Sequence, residues 1–131
     1  MKSRSAKQSI EKADAQPANI DNLHDWRCFE LLQAGSTERT HHIVGSICRV
    51  QDGHDARQGC VTSALVSVDP DSRTVLTENG TVYRLRHCSD ITPDAFYIWR
   101  RWQRATQATN VVDVTSDINA VLAPSPSLPV A

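Results

Sequence analysis

The residues best suited to strong intermolecular contacts are concentrated in one short segment near the C-terminal end of the chain. Two of the three tryptophans, one phenylalanine and one tyrosine fall within residues 96–102, and three arginines lie among them or just after. Aromatic rings bury a large area on binding, and guanidinium groups form bidentate hydrogen bonds with carboxylates and phosphates. The segment therefore predicts a binding surface, whose members are Tyr97, Arg100, Arg101 and Arg104.

Two further arginines, Arg84 and Arg86, are predicted to extend this surface. They alternate along a β-prone run, so both side chains should lie on one face of the strand. Arg73 should join them near the end of the sheet. A simpler interpretation of the aromatic segment stays open, in which the tryptophans are core residues and the neighbouring arginines form a solvated helix face.

The histidine and cysteine residues do not have the spacing of a metal site. Zinc ligands typically occur as close pairs separated by a few residues, whereas the closest pairs here, His41-His42 and His87-Cys88, are adjacent. Adjacent residues on a strand point to opposite faces and cannot readily chelate one ion. The sequence also contains no nucleophile elbow, phosphate loop or catalytic cysteine signature. We expect no catalytic residue, no metal and no cofactor, and therefore a protein that is not an enzyme.

The lack of a signal-peptide pattern and of a long apolar run predicts a cytoplasmic protein. The formal net charge of the 131 residues is −1, which argues against a chain that coats nucleic acid by bulk electrostatics. The basic start of the chain lacks the apolar stretch of a signal peptide, and no apolar run approaches the roughly 18 residues of a membrane span. The four cysteines are therefore expected to be reduced core residues.

Four short β-prone runs, separated by turn residues, are predicted to form the scaffold behind the binding surface. They span residues 42–50, 59–68, 74–77 and 81–86. Asn79-Gly80 is typical of a two-residue type I′ hairpin, which would place Leu76 opposite Tyr83. A two-residue Pro70-Asp71 loop would place Leu65 opposite Leu76. Both faces of such a sheet would be apolar, which predicts a sheet covered twice or closed into a small barrel.

Helical signals flank these strands. Thr92-Pro93-Asp94 supplies an N-cap, a proline at the first helical position and an acid in the first turn. Apolar residues at helical spacing follow between Ala95 and Ala105. Residues 22–34 are interpreted as a buried helix, with a strand as the alternative, because their apolar residues spread around the helical wheel. Residues 111–114 predict an edge strand, and residues 116–122 a last helical turn or two.

Together these elements predict an α+β fold. A small four-stranded antiparallel meander, or a small barrel, would pack against one or two helices. The globular domain would span residues 20–122. Residues 1–19 are polar and aperiodic, which predicts a disordered N-terminal lead, and the Pro-rich residues 123–131 predict a disordered tail.

Part of the strand region resembles a recurring pattern. Residues 61–69, 73–75 and 80–85 are similar to a pattern found in small uncharacterised accessory proteins of proteobacterial phages, prophages and plasmids. The similarity extends over residues 42–86 and concerns structural positions, so it transfers no functional residue. It implies an accessory protein of a mobile element, a class that includes inhibitors of host defence such as anti-CRISPR proteins.

The predicted function is non-enzymatic binding of another macromolecule, most readily a protein, by the C-terminal helix and the adjacent sheet edge. The mechanism would be steric occlusion or regulation, for example of a host defence complex, and a homodimer is compatible with the same surface. The alternative is a nucleic-acid-binding regulator that uses the same arginines. An enzyme or metal protein with an unrecognised site is the third class, and no membrane partner is expected.

Overall fold

The computed structural model describes residues 20–51 and 53–123, in which the chain forms seven β-strands and two α-helices. The strands are β1 (Asp21–Leu32), β2 (Thr40–Gln51), β3 (His54–Val61), β4 (Leu65–Asp69), β5 (Thr74–Thr77), β6 (Val82–Leu85) and β7 (Thr109–Asp113). The helices are α1 (Pro93–Thr106) and α2 (Thr115–Val121). The two predicted tails lie outside the described residues except for Ala123, whose backbone N–H donates to the Pro70 carbonyl at 3.0 Å.

All seven described strands belong to one open, mixed sheet, so the predicted four-stranded antiparallel meander or barrel is wrong. The strand order along the main path is β3-β2-β1-β6-β5-β4. β1 pairs with β2 antiparallel and with β6 in parallel. β7 pairs antiparallel with the end of β1, on the edge where β6 pairs with its beginning. The sheet is therefore organised around β1, which the sequence analysis assigns to a helix.

The helix predicted for residues 22–34 is wrong, since this segment forms β1. A β-bulge interrupts the alternation that would have indicated a strand. The pairing with β2 changes register between His24 and Arg27, and Asp25 in that interval has a φ of 50°. The extra residue separates Leu23 and Trp26 by three positions, although both are buried in the same core cluster. A three-residue spacing imitates the period of a helix, whereas the backbone continues as a strand on both sides.

The predicted strand over residues 59–68 is in fact the end of β3 and the start of β4. Between them the chain is held to β2, since the Thr62 N–H donates to the Ile43 carbonyl and Thr62 Oγ1 accepts from the Ile43 N–H, both at 3.0 Å. The Ala64 carbonyl then accepts from the Glu78 N–H at 2.7 Å. These bonds bend the chain, so β3 and β4 belong to different hairpins.

The β5–β6 hairpin has a three-residue loop instead of the predicted two-residue type I′ turn. Gly80 is the residue of that loop with a positive φ, 90°, whereas a type I′ turn requires two such residues. Asn79 closes the loop with its side-chain oxygen, which accepts hydrogen bonds from Thr77 Oγ1 and the Thr81 N–H. The β5–β6 pairing is consequently shifted by one residue from the predicted register.

The β4–β5 register also differs from the prediction, because the connecting loop is longer than two residues. Arg73 extends that loop with a φ of 60°. Its guanidinium donates to three backbone carbonyls, those of Leu85, Arg86 and Ala123. Arg73 is thus used inside the fold rather than in the predicted surface patch. In the resulting register Leu76 is 36% exposed, so the sheet is not fully covered at this position.

Each face of the sheet is covered by one helix. One core cluster contains Leu23 and Trp26 of β1 and is joined by Leu122 at the end of α2. The other cluster places Trp99 of α1 against Val44 of β2. The helix predicted to begin after Thr92 is confirmed as α1, and the predicted edge strand and final helical turns are confirmed as β7 and α2.

Candidate partner-binding surface

Helix α1 lies directly on β3 and β2 because the strands present small residues beneath its first turn. A Cβ atom added at Gly59 would lie 2.8 Å from the Cα of Ala95, closer than real side chains approach. Ser46 Oγ and Thr92 Oγ1 are 3.2 Å apart and share a hydrogen bond. Thr92 Oγ1 also accepts from the Ala95 N–H, which caps the helix. These contacts fix the position of the N-terminal end of α1 on the sheet.

The inner face of α1 is an aromatic stack. The Trp99 side chain is 4% exposed, and its ring centroid lies 4.7 Å from that of Phe29 and 5.5 Å from that of Trp102. Trp102 in turn packs at 4.7 Å on the His42 ring. Trp99 is therefore a core residue and partly buried Trp102 packs against the same cluster, in line with the simpler interpretation of the sequence, and the two rings set which face of α1 points outward.

His42 completes the stack as a neutral packing residue. Its Nδ1 donates to the Thr62 carbonyl at 2.9 Å, and its Nε2 accepts from Thr40 Oγ1 at 2.8 Å. Burial lowers the pKa of the His42 imidazole below its ordinary value, although the bond to Thr62 opposes this. The ring is thus held by two hydrogen bonds and by Trp102, and it contributes to anchoring α1 rather than to a titrating site.

The opposite face of α1 combines exposed aromatic rings with arginines. Tyr97 is 60% exposed and Phe96 48% exposed. The Arg101 guanidinium carbon lies 5.8 Å from the centroid of the Tyr97 ring, and that of Arg100 lies 5.8 Å from the Phe96 ring, both at cation–π distance. Exposed Arg104 lies one turn beyond Arg100. We call this set, Phe96, Tyr97, Arg100, Arg101 and Arg104, the outer α1 surface.

The positive charge of the outer α1 surface is not compensated by an ion pair with any described residue. None of the ion pairs among the described residues includes Arg100, Arg101 or Arg104. The only acid in the helix is Asp94 in its first turn, where a carboxylate complements the helix dipole. The four predicted members of the helical surface are therefore brought together by the structure, and Phe96 joins them. In the sequence, the position of Phe96 four residues before Arg100 is the signal that could have placed it on this surface.

Arg84 and Arg86 do not belong to this surface. They lie on and just after β6, whereas α1 packs on β3 and β2, with β1 between them. Arg84 pairs with Asn22 of β1, and the Arg86 N–H continues the pairing by donating to the Leu23 carbonyl at 2.9 Å. The six predicted contact residues are thus divided between two places on the protein.

Arg84 and Arg86 instead join two residues that sequence analysis missed. Directly paired residues on neighbouring strands share a face of the sheet. His24 pairs with Ser46, the residue of β2 that contacts α1, so His24 lies on the α1 side of the sheet. Arg57 of β3 pairs with Cys48. Cys48 lies two residues after Ser46 on β2 and therefore on the same face. Since Leu23 faces the opposite core with its partner Leu85, Arg84 and Arg86 also lie on the α1 side. We call this set, His24, Arg57, Arg84 and Arg86, the basic strip.

The basic strip is electropositive and adjoins a small cavity. Burial lowers the pKa of the His24 imidazole, and the charges of Arg57 and Arg86 lower it further. Arg57 also pairs with Asp25 at 3.1 Å. Between the strip and the start of α1 lies a cavity of about 270 Å³, lined by Arg57 together with Ser46, Gln58, Gly59, Thr92, Pro93 and Asp94. No sequence pattern indicates the strip, because it depends on the register of β1 with both neighbours.

The described residues contain no cluster of three or more histidine, cysteine or acidic side chains that could hold a metal ion. No disulfide joins the four cysteines there: Cys48 is exposed, Cys28 is buried, and burial raises the pKa of the Cys28 thiol to about 12. Neither α1 nor α2 has the length and apolar character that a bilayer-spanning helix requires, and no other helix is described.

Comparison with known proteins yields no relative for this chain. No protein-family model, no curated protein and no solved structure matches it. The resemblance of the strand region to accessory proteins of mobile elements therefore stays a prediction.

Proposed function

We propose that this chain is a non-enzymatic binding protein whose outer α1 surface docks on an acidic surface of another protein. One observation carries the proposal: Tyr97 and Phe96 are exposed beside arginines that form no ion pair with another described residue, while Trp99 is buried and Trp102 packs on it. Packing on the sheet explains the inner face of α1. It does not explain why the outer face carries large rings and three arginines with no lysine or glutamate among them.

The proposal follows from what such a surface gains on binding. Burial of apolar area contributes about 25 cal/mol per Å². The half-exposed phenylalanine and tyrosine rings would therefore contribute binding free energy when a partner covers them. Arginine stacked on a ring keeps its N–H groups available for bidentate bonds with carboxylates. Aromatic and arginine side chains together are typical of interface hot spots. An acidic, partly apolar protein patch is the complement of these properties.

Steric occlusion is the mechanism we propose for this binding. The aromatic stack and the contact at Gly59 hold α1 rigidly, so a partner would meet a preorganised surface and the remainder of the protein would cover neighbouring positions. This agrees with the resemblance to accessory proteins of mobile elements, a class that includes inhibitors of host defence. A nucleic-acid strand is the second candidate partner for the three arginines of the outer α1 surface, and a second copy of the chain is a third.

Charge reversal at each of the two arginine groups, in separate variants, tests the proposal. Arg100→Glu with Arg104→Glu alters the outer α1 surface, and Arg84→Glu with Arg86→Glu makes the same charge change elsewhere. Nuclease-treated host lysate would be passed over each folded variant and the wild type, and the retained protein would then be purified and titrated directly. We expect binding to be lost by the first variant and kept by the second. If the two variants bind the partner equally well, or if binding requires nucleic acid, the proposal is refuted. A homodimer of the wild type, seen by light scattering and disrupted in the first variant, would also refute it.

A further inference from the structure

We infer that the basic strip, His24, Arg57, Arg84 and Arg86, is a second binding surface, which takes the phosphodiester backbone of a nucleic-acid strand. It is separate from the outer α1 surface and does not depend on the function proposed for that surface. The inference rests on strand register, on charge and on the cavity beside Arg57.

The dimensions of the strip favour a chain of phosphates over a single anion. Neighbouring strands are about 4.8 Å apart, so β3, which carries Arg57, and β6, which carries Arg84, are separated by about 14 Å across the sheet. Arg84 and Arg86 are themselves about 6.6 Å apart along their strand. If these side chains extend away from the sheet, the oxygens of one phosphate group cannot contact all of the cations together. Successive phosphates of a strand laid across β3, β2, β1 and β6 can do so.

The strip has more positive charge than its acids compensate. Arg57 and Arg86 both act on His24, and His87 adds to them, while Asp25 is the acid that opposes them there. Asp25 already pairs with Arg57 and accepts a hydrogen bond from the Ser89 hydroxyl at 2.9 Å. Arg84 and Arg86 take part in no ion pair among the described residues. Phosphate oxygens would supply the missing negative charge and would release counterions.

The surroundings also suit a nucleotide rather than a bare acidic peptide. The cavity of about 270 Å³ beside Arg57 offers room for a sugar or a base next to the backbone.

The first test measures binding of fluorescent oligonucleotides by anisotropy at several salt concentrations. Short single-stranded RNA and DNA of the same mixed sequence, and the corresponding DNA duplex, would be titrated with the full chain. Arg84→Glu with Arg86→Glu should weaken binding at least about tenfold and reduce the slope of log affinity against log salt by about 1.4, which corresponds to two lost phosphate contacts on a single strand. The neutral pair Arg84→Gln with Arg86→Gln should lose affinity too, but less.

The matched control is Arg100→Glu with Arg104→Glu, which should keep most of the oligonucleotide affinity. If this control loses binding and the strip variant keeps it, the nucleic acid binds α1 and the inference is wrong. Competition by polyglutamate as effective as that by oligonucleotide would equally refute phosphate recognition. Preference for RNA over DNA would indicate that a ribose hydroxyl is read, whereas equal affinity would leave the backbone as the shared ligand.

An independent readout is the titration of His24 followed by NMR of its imidazole. Bound phosphates would offset the field of Arg57 and Arg86, so the His24 pKa should rise when the oligonucleotide is added, and Arg86→Gln alone should raise it without ligand. A His24 resonance that does not respond to saturating oligonucleotide would overturn the inference. None of these outcomes depends on a protein partner of α1, so a failure here is distinguishable from a failure of the proposed function.

Discussion

The contact between Gly59 and Ala95 makes a sharp prediction about how α1 is positioned. A Cβ atom at residue 59 would lie 2.8 Å from the Ala95 Cα and 3.0 Å from both the Ala95 nitrogen and the Asp94 carbonyl oxygen. All three neighbours are backbone atoms, which cannot rotate away as a side chain does. We therefore expect Gly59→Ala to push the first turn of α1 outward, by about 0.6 Å if the closest contact is to reach the 3.4 Å at which ordinary contacts begin.

The magnitude follows from two opposing effects. Forcing an extra methyl group into a packed contact costs typically 1–3 kcal/mol. Removing a glycine from the unfolded chain returns about 0.4–1 kcal/mol, since Gly59 does not have a positive φ. The net loss in free energy of unfolding should be about 1–2 kcal/mol. For a domain of this size that corresponds to a melting temperature lower by about 5–15 °C.

Thermal unfolding followed by circular dichroism measures this change, and two further variants make it specific. Gln58→Ala, an exposed neighbour on β3, should stay within about 0.5 kcal/mol of the wild type. Ala95→Gly added to Gly59→Ala should not rescue stability, because the clash involves the backbone of residue 95 and a helical glycine costs about 1 kcal/mol more. A melting temperature of Gly59→Ala at or above that of the wild type, or rescue by Ala95→Gly, would refute the reasoning.

Two other predictions concern the hairpin loop and the thiols. Gly80→Val should destabilise the protein by about 1–2 kcal/mol, because a β-branched residue is strained at a φ of 90°; an unchanged urea midpoint would contradict this. In native protein a thiol reagent should modify Cys48 first and Cys28 last, since Cys48 is exposed and the pKa of the buried Cys28 thiol is about 12. Unlabelled protein that is unfolded without reductant should release four reactive thiols, and recovery of fewer would indicate disulfides.

Local signals in the sequence predict α1 because everything that starts the helix lies within a few residues. Thr92 caps it, Pro93 occupies the first turn, and the inner stripe is read directly from the spacing of Ala95, Trp99 and Trp102. The outer α1 surface follows from the same periodicity, so its predicted residues lie together in the structure. Its partner remains a proposal, because composition describes only the complementary chemistry.

The sheet could not be predicted in the same way, since its strands are defined by partners far along the chain. The bulge at Asp25 produces helical spacing in β1, and only pairing with β2 and β6 identifies it as a strand. Turn residues were recognised at Asn79-Gly80, but the loop length depends on side-chain contacts across the hairpin. Arg73 likewise fixes the conformation of its loop by hydrogen bonds to backbone carbonyls, including that of Ala123, which is far along the chain.

The sequence by itself thus determined the α+β character, the helix after Thr92 and the aromatic and arginine content of its outer face. These depend on capping, turn chemistry and side-chain periodicity, all of which act over one or two turns of chain. The tertiary structure decided the seven-stranded order, the stacking of Trp99 on Phe29 of β1 and the assembly of the basic strip. Arg57 and Arg84 share a face only because β2 and β1 lie between their strands in one particular register, and a shift of one residue would send either side chain to the opposite face.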